Sequence, residues 1–160
     1  MKSILQVIAV VVMIILDSNG TKINKCQGDN APSINDLKVM LGNCTDEVPC
    51  VLTAGETYNF EQKFKAPKDV DDLQSNAFGL VFTYLISIKS ASDPEACKKI
   101  ENTKGMTGVC PLKKGENYIY KNAIKIKENE IRASINVQWH LTHANESLTC
   151  FEIPIKIQDK

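Results

Sequence analysis

Ile131-Arg132-Ala133-Ser134-Ile135-Asn136-Val137-Gln138-Trp139-His140-Leu141 alternates apolar and polar residues at almost every step. A β-strand points successive side chains to opposite faces, so this period makes one face apolar and the other polar. Further on, Phe151, Ile153, Ile155 and Ile157 repeat the pattern against Glu152, Pro154, Lys156 and Gln158. The intervening residues 142–147 are turn-like, which predicts a hairpin. A hairpin with one apolar face needs something to lie on that face: another sheet, or another sheet and a ligand.

Upstream, Tyr58, Phe60 and Phe64 alternate with Asn59, Glu61, Lys63 and Lys65, the series being broken once by Gln62. Phe78, Leu80, Phe82, Tyr84, Ile86 and Ile88 alternate with residues that are themselves largely apolar, which predicts one central strand over 78–88. A short strand is expected over 34–41, and another is marked by Tyr118, Tyr120, Ile124 and Ile126. Residues 26–33 read as loop, and residues 90–115 as a long polar loop. No helical period follows the first 20 residues. Short strands separated by turn signals predict an all-β, antiparallel two-sheet sandwich.

Lys2 is followed by an apolar run, residues 4–16, and then by small Ser18 and Gly20. A bilayer span needs about 20 apolar residues. The shorter run has the pattern of a cleaved secretory signal, giving a signal peptide over 1–20 and one domain over 21–160. All six cysteines, Cys26, Cys44, Cys50, Cys97, Cys110 and Cys150, follow it. An even number in a secreted chain implies disulfides, with connectivity left open. A Cys44–Cys50 bridge would close a small loop, and a Cys97–Cys110 bridge would pin the long one. Zinc needs closely spaced pairs backed by further Cys or His ligands, and His140 and His143 form none, so no metal and no cofactor is expected.

Lys plus Arg and Asp plus Glu stand at 19 each. A nucleic-acid binder would carry a clustered basic excess, so that class is excluded. A hydrolase would need a nucleophile beside an oriented base; His140 falls on a polar strand face and His143 in a turn, so no enzyme is expected. What the chain has in quantity is inward apolar surface: Tyr58, Phe60, Phe64, Phe82, Ile86, Tyr120, Ile126, Ile135, Trp139, Phe151 and Ile153. Alternation does not separate a packed core from a lipid tunnel. In a tunnel, ten buried methylenes would give about 8 kcal/mol gross.

Trp139-His140-Leu141, followed by Asn145-Glu146-Ser147-Leu148-Thr149-Cys150-Phe151-Glu152-Ile153-Pro154-Ile155, resembles the C-terminal signature of the Niemann-Pick type C2 proteins of the lipid-recognition (ML) domain family. Asn43-Cys44 with Pro49-Cys50, Gly55 with Tyr58, and Cys110-Pro111 before Tyr118, Tyr120 and Asn122 extend the match over the mature chain. The resemblance implies an immunoglobulin-like sandwich with a lipid cavity between its sheets and the bridges Cys26–Cys150, Cys44–Cys50 and Cys97–Cys110. It places Tyr58, Phe60, Ile124, Ile126, Trp139 and Phe151 at cavity-lining positions, and Asn145 in a glycosylation sequon of the late hairpin. The family's sterol carriers have a proline-rich aromatic segment where residues 86–94 here have no aromatic, and a Tyr-Pro where this chain has Glu130-Ile131. These departures widen the expected cargo from a sterol to a fatty acid or similar apolar ligand, with Lys89 near the mouth available to a carboxylate. The expectation is a secreted, monomeric lipid carrier, extracellular or in the lysosomal lumen. It would meet a membrane surface or a lipid-accepting protein during transfer. The alternative is a lipid-sensing interaction protein of innate immunity.

Overall fold

A computed structural model describes residues 20–27 and 32–160. The proposed signal, apart from Gly20, and part of the expected loop over 26–33 lie outside the described residues. Ten strands are formed among those residues: β1 (Asn24–Lys25), β2 (Lys38–Leu41), β3 (Cys50–Thr53), β4 (Thr57–Lys65), β5 (Gln74–Val81), β6 (Tyr84–Ser87), β7 (Ile100–Asn102), β8 (Asn117–Lys125), β9 (Ser134–His143) and β10 (Glu146–Gln158). One sheet runs β1-β10-β9-β5-β6 with β3 also on β10; the other runs β2-β4-β8-β7. The two sheets make the expected all-β sandwich. Every ladder is antiparallel except β3 on β10.

The hairpin read from the sequence, β9–β10, is the centre of the larger sheet. Its register sets Phe151 opposite Trp139, Ile153 opposite Val137 and Ile155 opposite Ile135. The turn is shorter than expected: only Ala144 and Asn145 lie between the strands, at φ 49° and 64°. Two positive φ values match the right-handed twist of the flanking strands, which is why two residues suffice. β10 is long because two partners share its free edge, β1 beside Phe151–Glu152 and β3 beside residues 155–158. Pro154 falls between them, where the missing N–H costs the sheet least.

Four expectations about local structure are corrected. The strand expected over 34–41 is β2, which begins at Lys38 rather than Ile34, and β9 begins at Ser134, leaving Ile131 77% exposed before it. The single strand expected over 78–88 is a hairpin, β5 and β6, turning at Phe82, whose φ is 55°. Its inward residues are Ser75, Ala77 and Gly79, not Phe78 and Leu80, because Ala77 pairs with Trp139 and Gly79 with Val137. Small residues therefore face the bulky indole's strand. The long loop over 90–115 contains a 3-10 turn, Ala96–Lys99, and β7, which pairs with β8.

The three bridges join Cys26 to Cys150, Cys44 to Cys50 and Cys97 to Cys110, the pairing that the resemblance implied. Asp93 ties the 90–115 segment to both sheets. Its backbone bridges to Ser75, and its carboxylate accepts from Tyr120 Oη at 3.1 Å, pairs with Lys99 Nζ at 2.9 Å and accepts from the Glu95 amide at 3.0 Å. Burial opposes charge on Asp93, but Lys99, the Glu95 amide and Tyr120 outweigh it and hold the carboxyl below the ordinary aspartate range. Gln62, the polar break in β4, is 1% exposed and donates to Thr149 Oγ1 at 2.8 Å. An inward amide is tolerated there because the other sheet supplies its partner.

Candidate functional site

The interior is not uniform along the strands. At one end aromatic rings close it: Phe60 stacks on Trp139 at 5.4 Å and lies 6.4 Å from Phe151, with Tyr120 edge-on at 6.0 Å. Phe64 packs against Tyr118 at 6.2 Å. These buried rings fill the interior at that end. At the other end the facing residues are aliphatic or small, and the sheets enclose a cavity of about 730 Å³. This size suits a small-molecule ligand, for which roughly 300–1,000 Å³ is usual.

The deep wall comes from both sheets. Gly79, Val137, Trp139, Ile155 and Leu52 line it from the larger sheet, Leu41 and Ile124 from the smaller, with Ile126 just past β8 and Ala91 completing it. All nine are buried. The polar lining residues Ser87, Lys89, Ser90, Lys127 and Ser134 are exposed, and Glu130 is half-buried, so they mark the mouth. Around them stand Phe82, 93% exposed, Ile86 at 56% and Ile131 at 77%. The result is an apolar tunnel with a rim that carries two lysines and an apron of unburied apolar side chains. A groove of about 330 Å³, lined by Pro49, Asn136 and Pro154, shares Leu80, Phe82, Ser134, Ile135 and Ile155 with the cavity.

Of the residues expected to meet a ligand, Phe82, Ile86, Ile124, Ile126, Ile135 and Trp139 line the cavity. Phe82 does so only at the mouth, because its strand turns there. Phe60, Phe64, Tyr120, Phe151 and Ile153 point inward as read but lie outside its wall, four of them in the aromatic cluster. Tyr58 is also outside it: its hydroxyl accepts from the Thr53 amide at 2.7 Å, stapling β4 to β3. Leu41, Leu52, Gly79, Val137, Ile155 and Ile157 line the cavity beyond the residues the sequence points to. Val137, Ile155 and Ile157 belong to the same alternating series, so the signal was present. Lys89 is at the mouth, as expected.

The polar face of β9–β10 is less exposed than its alternation suggests. Gln138 and Glu152, 6% and 5% exposed, are joined by a 2.7 Å hydrogen bond from Gln138 Nε2. His140 Nδ1 lies 2.8 Å from Ser147 Oγ, and its Nε2 is 3.3 Å from both Gln138 Oε1 and Cys150 Sγ. Phe78 meets the imidazole edge-on at 5.5 Å. Cys26, His140 and Cys150 come together here, but both sulfurs are spent in a disulfide and are not thiolate ligands. His143 pairs instead with Asp71 and Asp72, tying the β9–β10 turn to the connection before β5.

Burial depresses the readiness of His140 to take a proton below the ordinary imidazole range. The unfolded chain therefore binds that proton first as pH falls. The contribution of neutral His140 is present above about pH 6.5 and is lost on acidification through and below that value. Between pH 7.5 and 5 the thermal midpoint is expected to fall, and to fall less in His140→Gln. Scanning calorimetry of both proteins across that range checks this; equal slopes would contradict it.

Comparison with known proteins agrees with this architecture. The family model described as "ML domain" matches residues 20–157. NPC intracellular cholesterol transporter 2 of Sus scrofa is 27% identical over 131 residues, 81% of this chain and 83% of its own. The ecdysteroid-regulated 16 kDa protein of Manduca sexta is 28% identical over 108 residues, 68% and 70% of the two chains. Among solved structures, a Niemann-Pick type C2 protein from the Japanese carpenter ant superposes with a TM-score of 0.68 at 22% identity, covering 86% of this chain and 99% of its own. With the family model spanning nearly the whole sequence, the chain belongs to the ML domain family.

Proposed function

We propose that the protein is a non-enzymatic lipid carrier that holds a fatty acid, sterol or similar apolar ligand between its sheets. The observation that carries this reading is the cavity: buried aliphatic walls from both sheets, with charge confined to the exposed rim. Such a wall can desolvate a hydrocarbon at about 0.8 kcal/mol per methylene but offers no reacting groups at its depth. Lys89 and Lys127 at the mouth suit an anionic headgroup left in water. The similarity to a cholesterol transporter supports a lipid as cargo. Hand-over to a membrane or a lipid-accepting protein would use the rim of Phe82, Ile86 and Ile131, with the carrier acting as a monomer.

Three disulfides fit an oxidising compartment, and the first 20 residues fit a secretory signal, so we place the protein outside the cell or in the lysosomal lumen. Asn145, exposed at the tip of the β9–β10 turn and followed by Glu146 and Ser147, is proposed to be glycosylated. Protein secreted from eukaryotic cells should lose mass on N-glycanase treatment, and Asn145→Gln should not.

Titration with a fluorescent fatty-acid probe, followed by transfer of that probe between vesicles without any partner, tests the carrier reading. Saturable binding with transfer supports it. Binding without transfer, released only on capture by a receptor ectodomain, would favour the sensor; no binding would sink both.

A further inference from the structure

The connection from β8 to β9 forms one side of the cavity mouth and is built unlike the other walls. Lys127, Glu130, Ile131 and Ala133 from it line the space, yet no side chain over 127–134 is buried; Glu130 is half-buried and the others are exposed. A segment that buries so little apolar surface opens readily unless something else ties it down. Its ends are fixed. The Ile126 amide donates to the Glu56 carbonyl at 2.9 Å, the Ile126 carbonyl accepts from the Gly55 amide at 2.9 Å, and the Ala133 carbonyl accepts from the Ile157 amide at 3.0 Å. Between these points the one backbone bond among the described residues is internal, from the Glu130 amide to the Lys127 carbonyl at 3.1 Å.

One side chain holds the span to the body of the protein. Arg132 Nη1 donates to the Glu130 carbonyl and Nη2 to the Glu128 carbonyl, the latter at 2.8 Å, so the guanidinium gathers the turn. Its Nε and Nη2 both reach Asp159 Oδ1 at 2.8 Å, past the end of β10. Asp159 is anchored on either side: the Gln158 carbonyl accepts from the Ala54 amide at 2.9 Å, and Lys160 Nζ pairs with Glu56 at 2.9 Å. An isolated surface ion pair contributes little. This one is a planar fork that bonds two carbonyls and a carboxylate at once, which a lysine ammonium does not reproduce. Among the described residues it is also the only hydrogen bond or ion pair between 127–132 and the rest of the molecule.

We propose that Arg132 is the clasp of a gate at the cavity mouth. With its bond to Asp159 made, the 127–132 span closes one side of the cavity; with it broken, the span swings on Ile126 and Ala133 and clears a path for cargo. This rests on the carrier reading and adds how the cargo passes. Arg132 is not among the residues that line the cavity, and the clasp is the same whether the cavity is filled or empty. Releasing it therefore lowers the barrier to entry and to exit alike, which makes Arg132 a positioning residue for exchange rather than a contact to the ligand.

Stopped-flow mixing with a fluorescent fatty-acid probe tests this, with near-ultraviolet circular dichroism as the check of folding. In Arg132→Gln the association and dissociation rates are both expected to rise about tenfold, the scale of a lost charge-assisted hydrogen bond, at unchanged equilibrium affinity. Arg132→Lys, which keeps the charge but not the fork, should fall between that variant and wild type. Asp159→Asn should speed exchange less than Arg132→Gln, and the two changes together should be no faster than Arg132→Gln alone, because both remove one interaction. Unchanged rates in Arg132→Gln would overturn the gate. So would faster dissociation without faster association, which would make Arg132 a support of the bound state. Should Arg132→Gln fail to fold, Asp159→Asn is read against the same two results. If wild-type protein takes up no probe, the carrier reading fails and the gate with it.

Discussion

Tryptophan at both Val137 and Ile124 is expected to abolish uptake of apolar ligands while leaving a folded sandwich. The two residues line the cavity from opposite sheets and are each 3% exposed, so two indoles would occupy the space that the walls now enclose. If they displaced half of a ten-methylene chain, the loss would be about 4 kcal/mol, on the order of a thousandfold in affinity. Overpacking in a solid core costs about 1–3 kcal/mol of stability; bulk placed into open space should cost less. Probe titration and near-ultraviolet circular dichroism on the same sample separate these effects. Retained affinity would mean that the ligand does not lie between the sheets. Lost affinity together with lost tertiary signal would be read with Val137→Phe alone, for which a partial, graded loss is expected.

Replacing Cys26 and Cys150 by alanine should destabilise the protein far more than replacing Cys44 and Cys50. The first pair is 124 residues apart in sequence and the second 6. In the chain-entropy model these closures correspond to about 5 and about 2 kcal/mol. The long bridge also ties β1 to β10, the strand against which β3 and β9 pack. A single domain has a total stability of about 5–15 kcal/mol, so losing the long bridge removes a large share of it. Denaturant titration of the two double variants gives the comparison. Equal midpoints would show that loop closure is not what the long bridge contributes.

Most of the architecture could be read from alternation, because alternation records which face of a strand is apolar and the register follows from it. Val137, Trp139, Phe151 and Ile153 all point inward as their spacing says. Spacing carries no information about the distance between the sheets. Phe60 and Ile124 are equally inward on paired strands, yet one lies in the closed aromatic end and the other in the cavity wall. Large side chains dominate the inward series, and large rings are what close a sandwich. The space is left where residues are short, at Gly79 and Ala91, and where aliphatics face one another across it. Residues 78–88 misled for a different reason. Both alternating sets there are apolar, so the period did not choose a face; pairing of Ala77 and Gly79 with the Trp139 strand did.

The polar positions were legible only in part. Gln62 stood out as a break in β4, but its partner Thr149 is 87 positions away and comes into reach only when the sheets pack. Alternation puts His140 on a polar face, where it is, but its burial depends on Phe78, Gln138 and the Cys26–Cys150 bridge converging on it.

Native mass spectrometry of the protein purified from its natural source tests the central claim most directly. The account predicts a non-covalent adduct of lipid mass that is released by organic solvent and is missing from the Val137→Trp, Ile124→Trp double variant. A spectrum of bare polypeptide, from protein that also fails to take up an apolar probe, would contradict it.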